Sequence, residues 1–172
     1  KIARQQYERL GWEAIKGEPE ADTKLRGTIL GMTLYGESPE VLQTAKTLYE
    51  SSALQDLPAD IRDLLIGTMV RHFPTPSLID SLIATYQTTP LVDLKSDIAS
   101  GLASTKDPAT IQRLLDLLTD TSIIRTQATA RWFVYLLRNR YARDATWQWM
   151  KDNWTWIETA FGGDKSFDDY PR

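Results

Sequence analysis

Few side chains in this chain of 172 residues have the type and spacing to do chemistry. The one histidine, His72, follows Arg71 on an apolar helical stripe, where a packed or capping role fits better than ligation. A serine–histidine–aspartate relay would rest on that single ring, and no Gly-x-Ser-x-Gly elbow accompanies it. Gly27, Gly31 and Gly36 match neither a dinucleotide fingerprint nor a phosphate loop, because the lysine and hydroxyl such a loop needs are missing. With no cysteine, thiolate metal sites, a cysteine nucleophile and disulfides are excluded, and one histidine excludes a multi-histidine metal site. The acidic pair Asp168–Asp169 reads as a solvated tail, and the glycosylation sequon Asn153-Trp154-Thr155 falls inside a helix and reads as chance. No catalytic residue and no metal ligand are assigned.

One pattern stands apart. Between Thr121 and Arg143 lie Arg125, Arg131, Arg138, Arg140 and Arg143, without an acid, in a chain of formal charge -3. Guanidinium forks bind carboxylates and phosphates in bidentate fashion. These arginines therefore either pair with acids of neighbouring helices or face an external anion, and the spacing alone leaves both open.

The elements that position them are helical almost throughout. Ile61, Leu64, Leu65, Thr68, Met69 and His72 recur at spacings of three and four on a helix opened by Pro58. No segment alternates with period two. Ser38-Pro39, Thr75-Pro76 and Asp107-Pro108 each place an oxygen at an N-cap and proline at the first helical position, and Asp144 marks a fourth start. Repetition of such starts every 32 to 37 residues, with another helix between them, predicts stacked hairpins. The expected fold is all-α, an α-α superhelix of the HEAT or armadillo kind with about nine helices, in one domain over 1–172. Gly27 and Gly31 are expected to allow close helix contact.

Two segments carry extra apolar surface. Arg125 to Leu137 is apolar most of the way round, which predicts cover on more than one side. The next helix carries Trp147, Met150, Trp154, Ile157 and Phe161 on one stripe and Trp149 and Trp156 on a second, unsheltered one. It is expected to end at Gly162-Gly163 in a left-handed cap, with a loop from Asp164.

Composition bounds the rest. The chain is 42% hydrophobic and 25% charged, as soluble globular proteins are, and long enough to bury about two-thirds of its unfolded surface. Its acidity argues against nucleic acid and anionic membrane as partners, and no apolar run approaches the length of a membrane span. Beginning at Lys1 with no signal-peptide pattern and stopping at Arg172, the sequence reads as a piece of something longer. The lack of cysteine makes a cytoplasmic location the expectation.

A succession of short motifs narrows the field. Gly11-Trp12-Glu13, an acidic loop and Thr23-Lys24-Leu25-Arg26 are followed by Leu57 to Arg62 and by Gly101 to Pro108. Then come Ile124-Arg125-Thr126-Gln127, Ala145-Thr146-Trp147-Gln148-Trp149, Asn153-Trp154, and Phe161-Gly162-Gly163 with Phe167. In this order they resemble the C-terminal helical domain of the aminopeptidase N family of zinc peptidases, over nearly the whole chain. Trp12, Gln127, Trp147, Asn153, Trp154, Phe161 and Gly162 are its structural motif residues here. Ala128 departs from the family pattern, which usually has an acid there, and the family's domain continues past Arg172 with further helices. The family's zinc signature (His-Glu-x-x-His) and its Gly-x-Met-Glu-Asn motif are absent.

The resemblance implies a non-catalytic lid over a catalytic domain of the same polypeptide, enclosing a chamber for peptide substrates. Zinc, its water and a glutamate base would lie in that catalytic domain. An arginine on the chamber wall would attract the peptide's terminal carboxylate. Arg125 is the first candidate because it falls in a matched motif; Arg131 and Arg138 follow on helical spacing. A stand-alone helical-repeat scaffold for a protein partner is the alternative, and an RNA-binding repeat draws only on the arginines.

Overall fold

Side-chain oxygens and proline decide where several helices begin. In a computed structural model that describes residues 2–162, with side chains from Arg4, Thr75 Oγ1 accepts the Leu78 N–H at 3.1 Å. Asp107 Oδ2 accepts the Thr110 N–H at 2.8 Å. Each oxygen takes up one of the donors that a helix start leaves unpaired. Ser38 stands at an N-cap before Pro39, but its hydroxyl makes no capping bond.

The described residues form ten α-helices, one 3-10 turn and no strand. The helices are α1 (Ile2–Leu10), α2 (Glu20–Tyr35), α3 (Pro39–Glu50), α4 (Arg62–His72) and α5 (Pro76–Thr88). They continue as α6 (Val92–Leu102), α7 (Pro108–Leu117), α8 (Thr126–Arg138), α9 (Arg143–Asp152) and α10 (Trp154–Phe161). The all-α expectation holds. The tenth helix arises because the expected long tryptophan-rich helix breaks at Asn153, whose backbone leaves the helical region. Its Nδ2 donates to the Trp149 carbonyl at 2.9 Å, closing α9 before α10 begins.

Other boundaries also move. Pro58 does not open α4; it accepts a turn bond from the Ile61 N–H, and the helix starts at Arg62. Asp144 lies inside the first turn of α9, whose N-cap is Ala142, so it complements the helix dipole without capping. Gly162 is right-handed at φ -61°, not a left-handed cap. Its missing side chain matters because a Cβ there would collide with the Glu158 carbonyl. A left-handed glycine does end α1: Gly11, at φ 60°, whose N–H returns to Tyr7 O. Gly163, Phe167, Asp168–Asp169 and the loop expected from Asp164 lie outside the described residues.

The chain divides after Leu102 into two compact units. In the first, α2 packs on α4 and α4 on α6, so alternate helices form a row, while α3 packs on α4 and α5 on α6. This next-but-one neighbour pattern is what stacked hairpins produce. Leu30, Leu34, Val41, Ala45, Leu57 and Leu65 share one core, and Tyr7 and Trp12 pack against it. The closest approach is between α6 and α4: a Cβ at Gly101 would come within 2.7 Å of Ile66 Cβ and 3.2 Å of the Gly67 nitrogen. Gly27 and Gly31 face Asp60 and Leu64 at an ordinary 3.7 Å, so the tight helix contact expected of them belongs to Gly101.

In the second unit α7 and α8 each pack on α9, and α10 packs on α9. The apolar circumference expected of α8 resolves into one buried face of Thr129, Trp132, Phe133 and Leu136, with Val134 exposed. Met150, Ile157 and Phe161 of the first stripe are buried as expected, and Trp154 is half-buried. The second stripe is partly sheltered: Trp149 and Trp156 are half-buried in a series running Phe133–Trp149–Trp156–Phe161 at centroid spacings of 5.8 to 6.0 Å, tilted at the first contact and edge-on at the other two. Trp147, assigned to the inward stripe, is 39% exposed.

Candidate functional site

The arginine-rich segment lies wholly in the second unit, along α8 and the turn that leads to α9. Arg125 is the N-cap of α8, with an extended backbone and a carbonyl that accepts the Ala128 N–H at 2.8 Å. Its side chain supplies no cap, is exposed, and has no ionic partner among the described residues. A cation at a helix start opposes the macrodipole at a cost of about 0.3–1 kcal/mol, so helix stability does not account for Arg125. Arg138 occupies the last turn of α8, where the dipole favours a cation, and it too is exposed without an ion pair among the described residues.

Arg131 and Arg138 are seven residues apart, two turns of one helix face, with exposed Val134 between them. Arg125 is off that face. Arg138 lies thirteen residues beyond Arg125, about 20 Å along the helix, so the three do not converge on one carboxylate. They form a positive edge with two ends.

Sequence reasoning missed what builds the turn beyond α8. Asn139 is buried, and its Nδ2 donates to the Ala103 carbonyl at 2.8 Å and the Thr105 carbonyl at 2.7 Å. Its Oδ1 accepts the Tyr141 N–H. One amide therefore ties the arginine turn to the segment ahead of α7. Arg143 Nε donates to the Leu137 carbonyl at 3.0 Å, closing the end of α8. Arg140 donates to the Tyr141 hydroxyl at 2.7 Å and lies 4.8 Å from that ring, with Lys106 Nζ at 5.9 Å. Arg140 and Arg143 are thus engaged locally. The only hint in the sequence was a lone asparagine between two arginines.

The remaining motif residues sit in varied surroundings. Trp12 Nε1 donates to the Tyr7 hydroxyl at 2.9 Å, with the two rings edge to face. Gln127 is exposed on the first turn of α8, and Trp154 Nε1 donates to Glu158 at 3.0 Å. Phe161 is buried. Arg26, from the first motif, is fully buried and grips both oxygens of Glu18, while its Nε donates to the Leu10 carbonyl at 3.2 Å. Hydrogen bonds from Arg26 first, and from Ile15 N–H and Thr23 besides, hold the Glu18 carboxyl down at about 2.

A second charged pair lies between α4 and α6. Arg62, buried, faces Asp97 across 3.3 Å without hydrogen-bond geometry at its Nε. Burial pushes the Asp97 carboxyl up to about 6; Arg62 opposes this, and Asp63 and Asp93 add to it. His72 ends α4 and is half-buried. Among the described residues no group of three or more histidine, cysteine or acidic side chains could hold a metal ion, and no helix is long and apolar enough to cross a membrane.

Comparison with known proteins connects these features. The model of a family described as the ERAP1-like C-terminal domain matches residues 1–172. Aminopeptidase N of Lactococcus lactis subsp. cremoris (strain MG1363) is 33% identical over 172 residues, covering 99% of this chain and 20% of that protein. Aminopeptidase N of Lactobacillus helveticus is 32% identical over 168 residues, again 20% of its length. Human glutamyl aminopeptidase is 29% identical over 139 residues, 80% of this chain and 14% of that protein. The chain spans about a fifth of the length of the aminopeptidase N relatives it matches.

Proposed function

From the premise that this chain belongs to the ERAP1-like C-terminal domain family, we propose that it is the non-catalytic C-terminal part of a zinc aminopeptidase. In this reading it closes over the catalytic domain of the same polypeptide and walls a chamber in which peptides lose their N-terminal residues. Zinc and the hydrolytic water belong to the remainder of that polypeptide, since this chain offers no donor set for the metal among its described residues. We place the parent in the cytoplasm, on the absence of cysteine.

The observation that carries the reading is the whole-chain match to a fifth of each aminopeptidase N, joined to an arginine its own helix does not want. Arg125 combines exposure, lack of an ionic partner among the described residues and the positive end of α8. A peptide carboxylate placed there meets a guanidinium fork and the helix dipole together. Arg131, about 9 Å along α8, and Arg138, about 20 Å away at its far end, serve peptides of different reach. In the full enzyme, Arg125→Ala raises KM for short peptides several-fold while leaving single-residue amide substrates, which lack the distal carboxylate, unchanged. Steady-state kinetics on both substrate types check this; equal effects on both would remove the carboxylate role.

A further inference from the structure

The layer formed by α3 and α5 is open between its two members. α3 packs on α4 and α5 on α6, so the two helices are held by different partners. Between them, over the end of α4, lies a cavity of about 530 Å³ that opens to solvent. Small-molecule sites occupy the same range, about 300–1,000 Å³. The cavity lies wholly within the first unit.

Its floor is apolar. Met69 is buried there, with Phe73 and Leu78 half-buried beside it. The charges stand on one wall, where Lys46 and Glu50 lie one turn apart on α3 with 3.9 Å between Nζ and Oε1. That separation is too long for a hydrogen bond, so each group keeps its capacity for another partner. An ion pair this open to water contributes at most about 1 kcal/mol and yields readily to a competitor. Lys46 Nζ also stands 5.1 Å from the centre of the Phe73 ring, so the positive charge and the apolar floor are contiguous. Tyr49, on the same wall, is half-buried, and burial pushes its phenol up. Its hydroxyl has no hydrogen-bond partner among the described residues.

A ligand for this cavity has to answer one cation, one anion and an apolar floor together. A simple carboxylic acid would suit Lys46 but set its charge against Glu50, and a simple amine would do the reverse. A free α-amino acid carries both charges on one carbon, and its side chain leaves that carbon in a third direction. We infer that the cavity between α3 and α5 binds a free amino acid with an apolar side chain, of the leucine or phenylalanine class. The carboxylate pairs with Lys46, the ammonium pairs with Glu50, and the side chain lies on Met69, Phe73 and Leu78. The Tyr49 hydroxyl supplies a further donor to the carboxylate. That such amino acids are also products of the parent enzyme rests on the proposed function; their binding does not.

The test is hydrogen–deuterium exchange of the full-length protein, alone and with L-leucine, L-phenylalanine, glycine, N-acetyl-leucine or leucinamide. Leucine and phenylalanine should slow amide exchange over residues 46–50 and 73–78. Glycine lacks the side chain, N-acetyl-leucine the ammonium and leucinamide the carboxylate, so each should need a several-fold higher concentration for the same protection. Lys46→Ala and, separately, Glu50→Ala should abolish the protection, with unchanged exchange elsewhere showing that both variants fold. Protection that survives both substitutions, an equal response to N-acetyl-leucine, or protection confined to other segments would overturn the site. So would no protection at all. A protein without peptidase activity would sink the parent reading and leave the exchange result standing, so the two failures are told apart.

Discussion

Glu18 and Asp97 are both carboxylates facing arginine, yet their surroundings drive them in opposite directions. Glu18 receives Arg26 on both oxygens and two further hydrogen bonds, so its ionised form is favoured. Asp97 meets Arg62 at 3.3 Å without a hydrogen bond, and burial dominates. The consequences for stability differ in sign. Glu18, lowered to about 2, contributes stability that is full above its ordinary value near 4.5 and lost as pH falls toward 2. Asp97, raised to about 6, binds its proton more tightly in the folded chain, so its contribution falls as pH rises from about 4 to 6. Thermal melts across pH 2–7 should show Glu18→Gln flattening the acid limb and Asp97→Asn flattening the decline between pH 4 and 6. Asn139 offers a test without charge. Asn139→Ala orphans the buried Ala103 and Thr105 carbonyls and should cost about 1–3 kcal/mol in denaturant unfolding. Neither the Glu18–Arg26 grip nor the Asn139 tie was legible in the sequence, because their partners are set by loop geometry and by contacts up to 36 residues apart.

At the level of helices, local chemistry was readable where it acts within a turn. Thr75 and Asp107 cap as their spacing before proline foretold, and the three-and-four periodicity gave helices and no strand among the described residues. Close approach was not readable. Gly27, Gly31 and Gly101 look alike in the sequence, but only at Gly101 does a neighbouring helix fill the space of a side chain. Gly101→Ala should therefore destabilise by about 1–3 kcal/mol through overpacking. Gly27→Ala, with 3.7 Å of room inside a helix, should be neutral or stabilise by up to about 1 kcal/mol. Melts of the two variants side by side check the contrast. The break at Asn153 escaped notice for a related reason: apolar spacing runs straight through it, and the end of α9 is marked by the Asn153 backbone conformation and its bonds to Trp149 O.

For the whole molecule, the family was legible because its motifs succeed one another along the entire chain, and the comparisons bear that out. The arginine edge was legible as composition but not as geometry, since residue types do not say that Arg125 and Arg138 stand at opposite ends of one helix. The proposed division of labour makes a further prediction: this chain alone should not release product from aminoacyl-anilides, with or without added zinc, in a continuous colorimetric assay. Turnover above background would return catalysis to the chain itself. Under the proposed function, Arg125 also sets a conflict of interests for the protein as a whole. A serine in its place would give α8 the capping oxygen it lacks, strengthening the domain by about 0.5–1 kcal/mol. Selection for heat resistance alone would thus be expected to erase this arginine, and, under the proposed carboxylate role, selection for growth on short peptides to restore it.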